Sequence, residues 1–429
     1  MVMGDLGRDV DVVVIGGGPA GSLSACYLSQ AGYDVVLLEK LKHPRNVVGE
    51  SLIPDFWKYC DEAKVSDKIM AEGFIRKAGS IVDWHGDKRQ LAFKDHGYSR
   101  PALHVERDRF DHILLQHARE QGARVCEEVT VLEVDLGAGP GVRVKFRPVG
   151  DSQSATIACK YVIDASGQNS VLARQLGLRV IDEDFRFMSV WGYFHDAKYV
   201  AADAEIYPAS NRGVLAPTTY ITSVPGAGDW GWCWHIMLRE WTSVGLVLPI
   251  DAVKSVKGGQ AAWENHLLQQ VQALPRLAKT LDGARLSPGS VKVIRDYSYN
   301  STQVSGPGFF LIGDAAGFID PIFSVGIMLA MYSARTSAWA IDRIFRYPDR
   351  AAEHQSIYAS QLRSRMELSR ALALPQYEIG DRATRDAKRG MQFTGTQGRG
   401  LIRAASKLTE RSLHYHALVE DPAKSPGHS

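Results

Sequence analysis

The chain has no long apolar run, no paired-cysteine spacing and no dominant charge, and each lack removes a class of function. No stretch of about 18 uncharged apolar residues occurs, as a membrane-crossing helix would need. The five cysteines (Cys26, Cys60, Cys126, Cys159, Cys233) are scattered and never spaced as CxxC. This argues against a disulfide framework or a zinc site and suits a reducing compartment. The 50 Lys+Arg balance 48 Asp+Glu to a net charge of +2, which leaves no electrostatic footprint for nucleic acid. His104, His112 and His235 show no ligand spacing, so no metal is expected. Residues 1–9, MVMGDLGRD, are too short and too acidic for a signal peptide. The expectation is a cytoplasmic protein with neither a membrane nor a nucleic-acid partner. With 45% hydrophobic and 23% charged residues over 429 positions, the composition is globular, with about two or three domains.

What is present starts with a phosphate-binding pattern. Asp11-Val12-Val13-Val14-Ile15 reads as a strand buried on both faces, and Ser22–Ala31 reads as a helix stopped by Gly32. Between them stands Gly16-x-Gly18-x-x-Gly21. A second apolar run, Val35–Leu38, ends at Glu39, 18 positions beyond the last glycine. The first glycine permits a tight turn, the second lets a pyrophosphate approach the backbone, and the third lets helix pack on strand. Ala20 and Lys40, next to the motif residues, are candidate contacts of the same cofactor, and Glu39 suits ribose hydroxyls. The motif alone does not decide between FAD and NAD.

Further along, Val105–Gln121 reads as a helix and Tyr161–Gly167 as another buried strand ending in a turn. The loop Gly137–Gly141 lies between two strand-like runs and reads as a hairpin. From Arg186 to Val293, short segments rich in Trp, Tyr, Thr and Val predict antiparallel strands with one exposed face. The buried-strand style returns at Gly308–Asp314, and a helix follows over about 327–345. Beyond Pro348 the chain is helical and polar, with basic residues between 363 and 411 that read by default as a solvated face.

Taken together, GxGxxG, the Val162–Gly167 strand end VIDASG and the late Gly313-Asp314 resemble the flavoprotein monooxygenases of the p-hydroxybenzoate hydroxylase type. That resemblance covers about residues 8–345. It implies an α/β fold: a Rossmann-type FAD-binding domain (1–76, 100–185 and 290–345) with an inserted antiparallel β-sheet substrate domain (77–99 and 186–289). A helical C-terminal region (346–429) follows. It also implies FAD contacts from Gly16, Gly18, Gly21, Glu39, Arg107, Asp164 and Asp314.

Four segments are more specific, resembling the flavin-dependent halogenase branch. They are Gly49-Glu50-Ser51-Leu52-Ile53-Pro54, Trp232-x-Trp234-x-Ile236, Asp320-Pro321-Ile322-Phe323-Ser324-Val325-Gly326, and Lys77 within Phe74–Gly79. The resemblance implies that FADH2 and O2 form a flavin C4a-hydroperoxide, that chloride or bromide attacks it to give hypohalous acid, and that Lys77 meets the oxidant. Lys77 could act as a hydrogen-bonding ammonium or as a transient chloramine. Ser51, Gly326 and Ile327 would lie against the flavin, and backbone N–H groups of Val325 and Gly326, opening a helix, would hold the halide where no carboxylate intrudes. Glu50 either braces its loop or orients Lys77, and Ser324 is either a helix cap or an active-site group. The alternating tryptophans suit a packed strand as well as a functional motif.

The chain departs from the family pattern at three points. Val325 stands where a Ser or Thr is usual, Met237 where a proline is expected, and Phe323 where tryptophan halogenases carry glutamate. The last points to the pyrrole and phenol halogenases, whose substrates are small aromatics, in several cases tethered to an acyl or peptidyl carrier protein. The single dinucleotide fingerprint points to a separate flavin reductase as electron source. The tail could cover the substrate pocket or meet an acidic carrier protein. The alternative activity is hydroxylation or epoxidation by the same type of flavoenzyme.

Overall fold

The apolar run Val10–Ile15 becomes the central strand of a parallel sheet in the computed structural model, which describes residues 9–84, 86–137, 141–183, 185–225 and 231–373. It is flanked by Val35–Leu38 on one side and Ala155–Asp164 on the other; Arg124–Cys126 and Phe309–Leu311 extend the two edges, all in parallel. Side chains of Val10–Ile15 and Val35–Leu38, and of Val162–Asp164 beside them, are almost wholly buried, as in a parallel sheet covered on both faces. An antiparallel hairpin, Val129–Asp135 with Val142–Pro148, adds to the outer part of Ala155–Asp164, and residues 138–140 of its loop lie outside the described residues.

The helix Pro19–Gln30 starts at the glycine loop, with Gly18 at its N-cap and Pro19 at its first position, where a missing N–H costs nothing. The helix Gly326–Arg346 packs along it, and Ala330, Ala334 and Ala338 are among its buried positions. The Ser333 hydroxyl on that helix accepts the Gly313 N–H at 2.8 Å, tying the late strand end to the helix.

The second sheet runs Arg285–Leu286, Phe187–His195, Thr242–Pro249, Trp232–Met237, Thr218–Ser223, Gly79–Trp84, Asp87–Ala92, with Lys292–Arg295 also on Phe187–His195. Two sequence expectations change here. The sheet is antiparallel except for one pair, Thr218–Ser223 with Gly79–Trp84, which are parallel because the latter strand enters from the earlier segment of chain. The middle strands also lack the expected exposed face: Trp232–Met237 is buried at every position. Trp232, Trp234 and Ile236 belong to the core shared with the parallel sheet, whereas Cys233 belongs to a second core formed with Leu267 and Val271 of the helix Gln260–Gln272. An alternation of residues therefore points into two cores rather than into core and water.

The described part of the C-terminal region is not a solvated face. The helix Ala351–Ala373 buries Tyr358, Leu362 and Met366. Its Tyr358 hydroxyl donates to the Leu311 carbonyl at 2.5 Å, and Arg370 forks onto Asp182 at 2.7 and 3.1 Å. The remainder of the expected helical tail, 374–429, lies outside the described residues.

Candidate functional site

The glycine loop forms a cradle whose three glycines have distinct reasons. Gly16 has φ +103°, and a Cβ there would stand 2.5 Å from the Ala165 carbonyl oxygen. At Gly21 a Cβ would fall 1.9 Å from the Gly16 oxygen. Gly18 is different: the nearest atom to its missing Cβ is Arg45 Nη2 at 3.4 Å, so the space belongs to something outside the protein. Ala20 lies buried beneath Gly313. The Glu39 carboxylate turns back on the loop, accepting the Gly17 N–H at 2.5 Å and the Leu41 N–H at 2.8 Å. Lys40 is exposed and has no polar partner among the described residues.

Positive charge gathers at the mouth of this cradle. Arg107 forks onto the buried Asp111 at 2.8 and 3.0 Å and donates to the Val48 carbonyl at 2.8 Å; Arg45 donates to the same carboxylate at 3.0 Å. Two guanidiniums thus converge on one carboxylate beside the start of the helix Pro19–Gln30, where N–H groups and the helix dipole suit an anion. Arg45 was not visible in the sequence because it sits in an irregular segment with no motif around it. Asp164 plays another part: its carboxylate accepts the Ser166 N–H at 2.9 Å and the Leu172 N–H at 2.7 Å, holding the turn after its strand.

Asp314 supplies the orphan. Burial pushes its carboxyl up to about 6 against the opposing pull of Arg107, and among the described residues its carboxylate takes no hydrogen bond. It lines a cavity with Asp320, Val325, Gly326, Leu362 and Met366, the last two from the C-terminal helix. The expectation that no carboxylate intrudes beside Val325 and Gly326 is thus not met. Asp320 is restrained by the Ile322 N–H at 2.9 Å. Pro321, Phe323 and Ile327 are half-buried, the latter two packing against the main core. Ser324 holds φ +55°, a strained conformation for a residue with a Cβ, and no side chain caps the helix that follows. Its hydroxyl instead donates to Ser51 Oγ at 3.0 Å.

Ser51 and Lys77 meet because both flank one short strand. Ala102–His104 pairs with Ile75–Lys77 on one side, and the segment Glu50–Leu52 runs along its other side through a Ser51–His104 bridge. Lys77 is only 2% exposed. Its Nζ donates to Ser51 Oγ at 2.8 Å and to the Leu52 carbonyl at 3.4 Å, and stands 5.3 Å from the Phe93 ring centre. Burial alone drives its amine down to about 7. No carboxylate contributes to that shift. The Glu50 carboxylate accepts the Tyr193 hydroxyl at 2.8 Å and the Gly49 N–H at 3.0 Å, bracing the loop. Ser51 also bonds Thr219 Oγ1 at 3.0 Å, which in turn meets His104 Nε2 at 2.9 Å. Thr219 and His104 were missed in the sequence; they lie 115 positions apart and no spacing joins them.

The tryptophan motif is packed into the main core. Trp234 lies on Gly245, where a Cβ would come within 2.2 Å of its ring, and its Nε1 donates to Ser243 Oγ at 3.1 Å. Trp232 and Ile236 are buried in the same core.

Comparison with known proteins decides among flavoprotein families. A family model describing an FAD binding domain matches residues 9–353. A 1H-pyrrole-2-carbonyl-[peptidyl-carrier protein] chlorinase of Pseudomonas fluorescens is 32% identical over 381 residues, covering 83% of this chain and 81% of that protein. The chain belongs to the flavin-dependent halogenase family. A tryptophan 2-halogenase of Chondromyces crocatus is 34% identical over 336 residues, covering 78% of this chain and 61% of that protein. The chain thus spans less than two thirds of the length of that relative. Among solved structures, the myxobacterial chondrochloren halogenase CndH superposes with a TM-score of 0.78 at 27% identity, covering 93% of this chain and 90% of CndH. The flavin-dependent halogenase CmlS gives 0.77 at 31% identity, covering 86% of this chain and 65% of CmlS.

FAD is the cofactor of this family, and the residues present fit it. The open side of Gly18, the paired guanidiniums and the half-buried Asp314, whose carboxylate takes no hydrogen bond among the described residues, are the features a bound dinucleotide would satisfy. No helix among the described residues is long and apolar enough to cross a membrane.

Proposed function

We propose that this halogenase-family chain chlorinates or brominates an electron-rich aromatic ring, such as a pyrrole or a phenol, through the amine of Lys77. The observation that carries the reading is the surroundings of that lysine. The amine is buried, its proton affinity is lowered to about 7 by desolvation alone, and it is tied through Ser51 to Ser324 of the late loop. Gly16, Gly18, Arg45, Arg107 and Asp314 would hold FAD. When bound in its reduced form, FAD supplies the two electrons with which dioxygen oxidises halide to hypohalous acid, the other oxygen atom leaving as water. The backbone N–H groups of Val325 and Gly326, at a helix start with no side-chain cap, are the donors for the halide.

Lys77 then receives the halogen. Its lone pair attacks the halogen of hypohalous acid: the N–halogen bond forms, the O–halogen bond breaks, and hydroxide leaves with the amine proton as water. The ring next attacks the halogen, the N–halogen electron pair returns to nitrogen, and the ring loses a proton. A neutral amine is needed for the first step, and a group titrating near 7 supplies it at working pH.

Phe323, where a carboxylate would assist a less reactive ring, supports a substrate that needs no such help. The names of the relatives divide between tryptophan and a carrier-bound pyrrole. A separate reductase as the source of reduced FAD is supported by the single dinucleotide fingerprint. Cytoplasmic placement is supported by five free, buried cysteines.

Hydroxylation is the second reading, favoured by one feature: Asp314 and Asp320 line the cavity beside Val325, which lowers the affinity for an anion there. Product mass separates the two. Reaction of an electron-rich pyrrole or phenol with reduced FAD, dioxygen and bromide should replace hydrogen by bromine. A gain of one oxygen, indifferent to bromide, would select hydroxylation.

A further inference from the structure

The hydrogen bonds around Lys77 have a direction, and it is set by an atom at the far end. Met237 contributes a backbone carbonyl, which can only accept, so the His104 Nδ1 that lies 3.0 Å away must carry a proton. His104 is fully buried, and burial together with the nearby Lys77 holds its pKa well below the usual range, so the ring is neutral. Its Nε2 is then an acceptor. Thr219 Oγ1, 2.9 Å away, must donate to it, and having one proton must accept from Ser51. The Ser51 hydroxyl is thereby committed to Thr219. Its two lone pairs are left for Ser324 at 3.0 Å and Lys77 at 2.8 Å.

Among the described residues Lys77 meets two acceptors, Ser51 Oγ and the Leu52 carbonyl, and no donor. Two acceptors match the two N–H bonds of a neutral amine and leave its lone pair unoccupied. Were Ser51 free to rotate, its hydroxyl could donate to that lone pair and mask it.

We propose that His104 and Thr219 are positioning residues that keep the Ser51 proton turned away from Lys77, so that the lone pair of the amine stays open toward the reacting halogen. This rests on the halogenase reading for its purpose, but the proton order stands on the hydrogen-bond geometry and the neutral ring of the buried His104. The groups facing the lysine are the Ser51 hydroxyl, the Leu52 carbonyl and the Phe93 ring, with Ser324 bonded to Ser51, His104 behind Thr219 and His235 acting in turn on His104. No carboxylate affects the titration of the amine.

The test breaks the chain at two links and reads the lysine directly. Thr219→Val removes the acceptor for Ser51 at nearly constant volume; His104→Phe frees Thr219 to donate back to Ser51. Either change releases the Ser51 proton toward the amine. A hydrogen bond to the neutral form favours it, so the titration of Lys77 should move to lower pH in both variants. It would be followed by the Cε resonance of carbon-labelled lysine in the full chain with FAD, assigned by its loss in Lys77→Met. Halogenation kcat should fall about tenfold, the worth of one hydrogen bond that must now break, with KM for halide unchanged. Thr219→Ser, which keeps the hydroxyl, should restore both.

A lysine titration unmoved or raised in both chain-breaking variants would overturn the proposal, as would failure of Thr219→Ser to restore it. The titration needs no turnover. A downward shift with no halogenated product from any protein would therefore sink the halogenase reading and leave the proton order standing.

Discussion

Replacing Lys77 by methionine should stabilise the protein at neutral pH and destroy its activity, and the size of the gain should depend on pH. Burial takes the amine from 10.5 to about 7. The unfolded chain keeps the ordinary value. Between about pH 7 and 10.5 the unfolded state therefore holds a proton that the folded lysine lacks, so wild-type stability rises with pH across that window. At about 1.36 kcal/mol per unit, the burden on the folded state is about 4 kcal/mol at pH 7 and about 2 kcal/mol at pH 9. Methionine fills similar volume and carries no charge. Loss of the donor to Ser51 offsets about 1 kcal/mol of the gain. Ser51 keeps Thr219 and Ser324 as partners. Urea unfolding of both proteins at the two pH values isolates the lysine, since every other titrating group cancels in the difference. The advantage of Lys77→Met should be about 3 kcal/mol at pH 7 and should shrink by about 2 kcal/mol at pH 9. A difference that does not change with pH would refute the buried, desolvated lysine.

The glycine loop offers a paired prediction. Gly18→Ala has room in the cofactor-free fold and should leave its urea midpoint unchanged while weakening FAD binding, measured by flavin absorbance titration. Gly16→Ala meets a carbonyl oxygen from a left-handed backbone and should destabilise the cofactor-free fold by about 1–3 kcal/mol. Equal behaviour of the two would remove Gly18 from the cofactor site. Val325→Ser adds a hydroxyl at the late turn and should lower KM for halide; unchanged halide dependence would mean that only backbone N–H groups act there.

The parallel sheet was legible because its strands are continuous apolar runs and its glycine loop is short and local. The four family segments were legible for the same reason. What sequence could not show is which groups share a chamber. Glu50 and Ser51 are neighbours in the chain, yet one bonds Tyr193 and the other Lys77, because successive residues of an extended segment face opposite ways. Ser324 was open between a cap and a site group; its left-handed backbone and its bond to Ser51 favour the second. The tryptophan alternation was correctly periodic but suggested one wet face, since a single sequence does not reveal that the helix Gln260–Gln272 covers the other side. Arg45, Thr219 and His104 depend wholly on distant partners, and no local pattern marks them.

One reaction tests the role of Lys77 most directly: Lys77→Ala and wild type compared side by side with reduced FAD, dioxygen, bromide and an electron-rich phenol. Brominated product and hydrogen peroxide would be quantified in the same mixture. Bromination should vanish in the variant while hydrogen peroxide release from reduced FAD continues at the wild-type rate. Brominated product at wild-type yield from Lys77→Ala would contradict the relay through this amine.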